Sequence, residues 1–444
     1  MSQSKKDISE TLYQYLAEDE DARVCKDIPE DACSEQPKAF MLHLWSLTLT
    51  KLGDSLVSAR LILPWMLSVT GAPAFFISML VPLRESLSLL PQLFVAQRMR
   101  EHPLRKWFWV AGSIGQAIAL FAIVAGLFWL HGDFTLTPLG FGWWVIGWLT
   151  FFSVSRGVCS VAMKDVTGKT ISKTRRGRLS GLAATSAGFM TLATALLIIF
   201  APDVEGSLGL FVLLLGGAGV LWLIAAWSFA LLPEVPGATE GGGNAITEAV
   251  KSLSILWQDR QFGAFVATRA LLVSSAFAIP YIVVLIQRES SGALIGLGSL
   301  MLASGAAGML AGRFWGRWSD SASHHVMAAA AFMASVVMAL TLLVSALEPS
   351  LLGHVAVGGA LIFLAAVAHH GARVGRKTYL VDMATQENRA QYTAVSNTVI
   401  GGLLLLGMLL GILDEFAGTH AVLGLLVLVS FVAGVRALRL PAVE

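Results

Sequence analysis

Charge is scarce in this chain. Of its 444 residues only 14% are Asp, Glu, Lys or Arg, against about 25% in an ordinary soluble protein. Apolar residues make up 55%, 43 glycines come on top of them, and mean hydropathy is +0.70. Water cannot solvate that much apolar surface, so most of it must face lipid or other membrane helices. A soluble enzyme, a nucleic-acid binder and a disordered protein are excluded as descriptions of the bulk of the chain. Cysteine is scarce too. Cys25, Cys33 and Cys159 cannot build a disulfide scaffold. Cys25 and Cys33 lie in a polar stretch expected to be cytoplasmic, where thiols stay reduced, and that stretch offers too few ligands for a metal. There is no Gly-x-x-x-x-Gly-Lys-Ser/Thr loop, so ATP hydrolysis is not the expected energy source. Neither a His-Glu-x-x-His pattern nor a Cys-x-x-Cys pair is present, so no metal, no cofactor and no enzymatic activity are expected. The first 39 residues hold ten acids and five bases and lack the apolar core of a signal peptide.

What is abundant is long apolar runs of the length that spans a bilayer, about 20 residues. Six of them, Met41–Ser68, Pro73–Ala96, Trp107–Leu130, Phe141–Met163, Leu179–Phe200 and Leu208–Leu231, precede a polar stretch. Six more, Phe262–Ile286, Ala293–Trp315, Val326–Leu347, Leu351–Arg373, Val395–Leu413 and Ala421–Leu438, follow it. Runs such as Leu403–Leu406 and Leu425–Val429 do not alternate, which excludes transmembrane strands. The expected fold is an all-α polytopic membrane protein of twelve helices in two six-helix bundles. Residues 1–39 form an acidic tail, 40–232 the first bundle, 233–261 a linker and 262–444 the second bundle.

Lys and Arg fix the orientation. They concentrate in the loops after helices 2 and 4, in the later even-to-odd connections and at both ends, whereas the opposite loops carry one base, Arg288, and mostly acids. Both termini are therefore expected in the cytoplasm of a bacterial-type inner (plasma) membrane. Pro233, Pro236 and Gly237 stop helix 6, Gly241–Gly243 are flexible, and Asn244 can cap a short amphipathic helix carrying Ile246, Val250, Leu253 and Trp257. Ile8, Leu12, Tyr15 and Leu16 suggest another in a loosely ordered acidic tail.

The two halves echo each other. Arg156 precedes Asp165 by the same nine residues as Arg373 precedes Asp382, Leu63-Pro64-Trp65 answers Ile279-Pro280-Tyr281, and Gly71-Ala72 answers Gly292-Ala293. Three matches at nearly one offset indicate parallel six-helix repeats, the layout of a rocking carrier. On these features the chain resembles the major facilitator superfamily of secondary transporters over about residues 40–440. That family's loop signature, Gly-x-x-x-Asp followed by bases, is matched in loop 8–9 by Gly316 and Asp320, followed by Ser321-Ala322-Ser323-His324-His325 rather than bases. Loop 2–3 has Gln97 and Glu101 at the two places, and the family's helix-4 motif is matched by Arg156 alone. The resemblance implies two rocking bundles around a cavity lined by helices 1, 4, 7 and 10, a function as a monomer, and an ion gradient, with protons first among the candidates, as the driving force. Gly308, Gly312 and Gly316, and likewise Gly407 and Gly411, recur every four residues and can admit a close helix neighbour.

The ionisable residues inside the spans carry the functional information, because each costs about 2.5–3.5 kcal/mol at a helix centre. At about 1.5 Å rise per residue, Asp54 lies about 21 Å from the outer end of helix 1 and Arg84 and Glu85 about 17 Å into helix 2. Arg60 lies nearer the outer surface; Lys51, Arg156, Arg269 and Arg373 lie toward the cytoplasm. For Asp54, Arg84 and Glu85 three readings stand open: a structural ion pair, a proton-carrying carboxylate tuned by an arginine, and direct binding of substrate charge. Pro82 and Pro91 flank the pair and can open the backbone. The surplus of arginine points to an anionic substrate. His369 and His370 differ by about 100° around helix 10, so at most one faces the pore. Gly316, Asp320, Asp165, Arg373 and Asp382 are candidate gate residues. Alternatives are an exporter of drugs or lipophilic compounds, and a receptor or assembly factor that kept the fold without transport. Expected partners are the lipid bilayer, a small solute and protons or another coupling ion, and no nucleic acid.

Overall fold

A computed structural model describes residues 28, 30–132, 136–200, 207–237, 239, 253–290, 294–385 and 388–443. The candidate tail helix and the start of the candidate linker helix lie outside them; Ile255–Gln258 forms one short turn of helix with Trp257 exposed. Twelve crossings follow. Helix 1 comes in two pieces, Gln36–Leu56 and Ile62–Val69. Helix 2 runs Phe75–Leu89 and continues as Gln92–Arg100 after Pro91. Helices 3 to 6 are Lys106–His131, Pro138–Thr170, Lys173–Phe200 and Ser207–Ala230. Helix 7 again comes in two pieces, Arg260–Leu271 and Ser274–Glu289. Helices 8 and 9 share Leu294–Leu347, bent at the non-helical Ala322. Helix 10 is Val355–Met383. Helix 11 begins at Arg389 and helix 12 ends at Leu438, the two being separated at Gly418.

Local chemistry sets these ends. Thr137 caps helix 4 by accepting from the Gly140 amide at 3.1 Å, with Pro138 in the first turn, where its missing N–H costs nothing. Asp259 caps helix 7 through the Phe262 amide at 3.0 Å. Gly418 takes φ +80°, a left-handed turn that a side chain would strain. Without a hydrophobic force between helices in lipid, packing relies on small residues. Gly142 receives the Phe76 ring, Gly53 the Trp222 ring and Gly434 the Phe332 ring, each so close that an added Cβ would collide. Outward-facing residues such as Phe200, Leu213, Phe189 and Trp227 are more than 60% exposed, as a lipid-facing surface requires.

Within each half the helices form one bundle, and the halves meet pairwise: helix 5 against helix 8, helix 2 against helix 11, and the second piece of helix 1 against helix 7. Helices 2 and 8, and 5 and 11, are six apart, so the first two contacts are one contact seen twice under the repeat. Helices 1, 2 and 8 are not among those that pass as spans on length and hydropathy alone. Two of these, helices 1 and 2, carry the midmembrane charges.

The glycine stripe of helix 8 does not pack along its length. Gly305, not Gly312 or Gly316, meets helix 5, through Leu192; Gly308 faces His370, while Gly312 and Gly316 have open space. Gly407 and Gly411 of helix 11 do admit close neighbours, Phe277 and Ser78. Cys33 also departs from expectation: it is disulfide-bonded. The expectation of a free thiol rested on compartment and not on chain geometry. Cys159 is free and buried.

Candidate functional site

Helix 1 stops at Leu56 because the chain cannot continue its ladder beyond it. Pro64 has no amide to offer the Arg60 carbonyl, and the amides of Leu61, Ile62 and Leu63 all converge on the Ser58 carbonyl at 3.3, 2.9 and 3.0 Å. The amides of residues 58–60 therefore cross the membrane interior without helical bonding. Open backbone at that depth persists only where protein or cavity water satisfies it. Arg84 of helix 2 supplies a partner: one guanidinium nitrogen donates to the Val57 carbonyl, the other to Asp54 Oδ1 at 3.0 Å. Arg156 of helix 4 donates to the same Asp54 oxygen. The Arg84 guanidinium also lies 5.4 Å from the centre of the Phe152 ring, a favourable cation–π position. Arg60, at the break itself, donates to Glu85 Oε1 at 2.6 Å. The neighbours Arg84 and Glu85 thus serve different partners. The Asp54 side chain is 24% exposed, Arg156 35% and Glu85 41%, although all three are embedded in the bundle. Their exposure marks a gap in the packing around them.

Helix 7 breaks at Leu272 and Val273, the repeat equivalent of Val57. Here hydroxyls do the repair: Ser274 donates to the Leu271 carbonyl at 2.7 Å and Ser275 to Leu272 at 2.9 Å. Arg269 is 7% exposed and donates to Ser396 Oγ at 2.5 Å and Asn397 Oδ1 at 2.9 Å on helix 11, neutral acceptors that leave its charge unbalanced. His369, Arg373 and Arg376 recur on one face of helix 10. Arg373 is within electrostatic range of Lys51, Arg60 and Glu85 in the other half, and Arg376 of Arg60 and Glu85. Lys377 is exposed beside them. Among the described residues no carboxylate lies within 4 Å of Arg269, Arg373, Arg376 or Lys377. His369 contacts Ser275 at 3.3 Å, leaving its Nε2 without a partner.

A second charge cluster knots the N-terminal half on the face that carries the termini. Asp165 pairs with Arg105 and, at 3.0 Å, with Lys169, not with Arg156. Lys169 also reaches Glu234 at 3.1 Å. The Glu234 side chain is fully buried, and it caps helix 3 by accepting from the amides of Arg105 at 3.0 Å and Lys106 at 2.7 Å. Lys106 in turn donates to the carbonyls of Ala230 and Leu232 at the end of helix 6. The C-terminal half has no such knot between described residues. Asp320 and Asp382 are exposed, and helix 8 runs straight through Gly316–Asp320 before turning at Ala322.

Sequence reasoning missed the Glu234 knot, because Pro-Glu-Val-Pro reads as a linker. It also counted Arg376 and Lys377 as loop bases; the three-residue step from Arg373 was the available signal for Arg376. The hydrogen bonds that join the halves lie toward the face opposite the termini or near mid-depth: Ser68 to Gln287 at 2.6 Å, Ser78 to the Met408 carbonyl at 3.2 Å and Ser86 to the Gly401 carbonyl at 2.6 Å. Nearer the terminal face none joins described residues of the two halves.

No protein-family model matches the sequence, and no curated protein matches it. Solved structures do. A D-xylose–proton symporter superposes with a TM-score of 0.65 at 12% identity, over 91% of this chain and 98% of its own. A point mutant of the nucleoside transporter NupG gives 0.64 at 12%, over 90% and 100%. The inward-open xylose transporter XylE from E. coli gives 0.58 at 13%, over 93% and 97%. The chain has the twelve-helix major facilitator fold.

Proposed function

We propose that this protein is a secondary active transporter, not an enzyme, that carries a small anionic solute across the membrane by alternating access and draws on a proton gradient. The observation that carries this reading is the imbalance of charge inside the bundle, where Lys51, Arg60, Arg84, Arg156, Arg269, Arg373 and Arg376 meet only Asp54 and Glu85 among described acids, and where Asp54, Glu85 and Arg156 stay accessible. Buried charge is costly unless paired, and an anion supplies the missing sign. The face bearing the termini is the cytoplasmic face of a bacterial-type inner membrane, as its Lys and Arg content favours, and the monomer is the working unit.

The geometry gives proton coupling a route. Asp54 holds Arg84 and Arg156 through one oxygen. Adding a proton to that carboxylate removes the charge both arginines answer. Arg156 is then free to turn to a solute anion, and loss of the proton restores the original pairing. Reconstitution into proteoliposomes tests the reading: a pH gradient should drive flux of at least one anion, and Arg84→Gln and Asp54→Asn should abolish it. Flux of lipophilic cations instead, or anion flux indifferent to both substitutions, would overturn it.

A further inference from the structure

The structure assigns the C-terminal side of the cavity as a binding site for a small anion carrying two or more negative charges, held by Arg269, Arg373, Arg376 and Lys377. This rests on the reading of the cavity as a solute site and narrows its substrate class. The N-terminal arginines are already answered by Asp54 and Glu85. The four C-terminal cations, spread over helices 7 and 10, meet no described carboxylate within 4 Å; Glu85, itself paired with Arg60, lies in longer range of Arg373 and Arg376, and Lys377 lies within range of Lys51 and of the other three. A singly charged solute would leave most of that charge unbalanced. A dicarboxylate, a tricarboxylate or a phosphate ester would offset it.

The site is also built. Arg269 is more than nine-tenths buried and oriented by Ser396 and Asn397, with its Nε lacking a partner. A guanidinium fixed in this way presents a planar fork suited to carboxylate or phosphate oxygens. His369, equally buried, leaves Nε2 unpartnered and lies within range of Arg373 and Arg60. Arg60 also leaves a buried Nε without a partner, but its guanidinium is already paired with Glu85.

The test uses full-length protein in neutral detergent and follows thermal stabilisation by acetate, succinate, citrate, inorganic phosphate and pyrophosphate at constant ionic strength. Apparent affinity should rise at least 10-fold from acetate to the best multiply charged anion. Arg373→Gln and Arg376→Gln should each weaken binding at least 10-fold, whereas Arg376→Lys should keep most of it and shows that the fold tolerates change there. Acetate binding as well as the multivalent series, or full affinity in the Arg373→Gln/Arg376→Gln double variant, would overturn the assignment. So would saturation of the site by added anionic lipid in place of the soluble anions. Flux of a singly charged anion alone leaves the carrier reading standing and removes this one. Tight citrate or pyrophosphate binding without flux of any solute does the reverse.

Discussion

The two halves open their first helix at equivalent points and repair it by different means. In the N-terminal half an arginine from helix 2 reaches into the gap at Val57, and acids balance the charge brought in. In the C-terminal half two serines bond back to carbonyls one turn earlier, helix 8 carries Gly305 and Ala306 at the places of Arg84 and Glu85, and the arginines of helices 7 and 10 have no described acid within 4 Å, Glu85 of the other half being in longer range of Arg373 and Arg376. The acids of the cavity lie on the N-terminal side, two against four bases, whereas the C-terminal side contributes bases only. The difference teaches that both halves share the backbone fracture but mend it with different chemistry, an arginine in one and serine hydroxyls in the other.

Substitutions can break or sharpen this contrast. The largest effect is expected at Asp54: Asp54→Asn leaves Arg84 and Arg156 facing each other, costing about 2–3 kcal/mol, below the about 3–5 kcal/mol of a sealed pair because the site is part-exposed. Thermal unfolding should show the loss, and adding Arg156→Gln should recover part of it. Glu234→Gln removes a fully buried charge from two helix-3 amides and Lys169, and a loss of about 1–3 kcal/mol is expected in the same measurement. Arg373→Gln should move stability the other way, raising that of the ligand-free protein by about 1 kcal/mol through relief of like-charge repulsion while binding is lost. A drop in stability there would show that the C-terminal cations have partners of their own. Ser274→Ala and Ser275→Ala should cost only about 0.5–1.5 kcal/mol each.

The smallest effect concerns pH. Burial raises the Asp259 carboxyl, but hydrogen bonds from the Tyr392 hydroxyl and the Phe262 and Gln261 amides outweigh it and hold the group below its ordinary 3.8. Its folded value is depressed, so its contribution is present above the unfolded value and fades as pH falls through the folded one. Acid titration of stability should therefore steepen below about pH 4, and Asp259→Asn should flatten that limb.

Run length and the placement of Lys and Arg made the twelve crossings legible before any coordinates, and the Pro64 and Pro280 match pointed to the repeat. The break in helix 1 was not legible. Val57-Ser58-Ala59-Arg60-Leu61 contains neither glycine nor proline, and its cause lies in the downstream Pro64 together with an arginine on another helix. That Asp54 answers two arginines could not be read from spacing, since Arg156 arrives from 102 residues away. Gly312 and Gly316 fit a packing stripe by period alone, but a period does not say whether a neighbour is present.

Helices 8 and 9 are joined through a single bent residue, Ala322, with no slack between them. A connection that short transmits torque. In the proposed rocking, a tilt of helix 8 against helix 5 is carried to helix 9, on which helix 12 packs. In that rocking, this corner of the C-terminal bundle couples the seam between the bundles to the lipid-facing periphery.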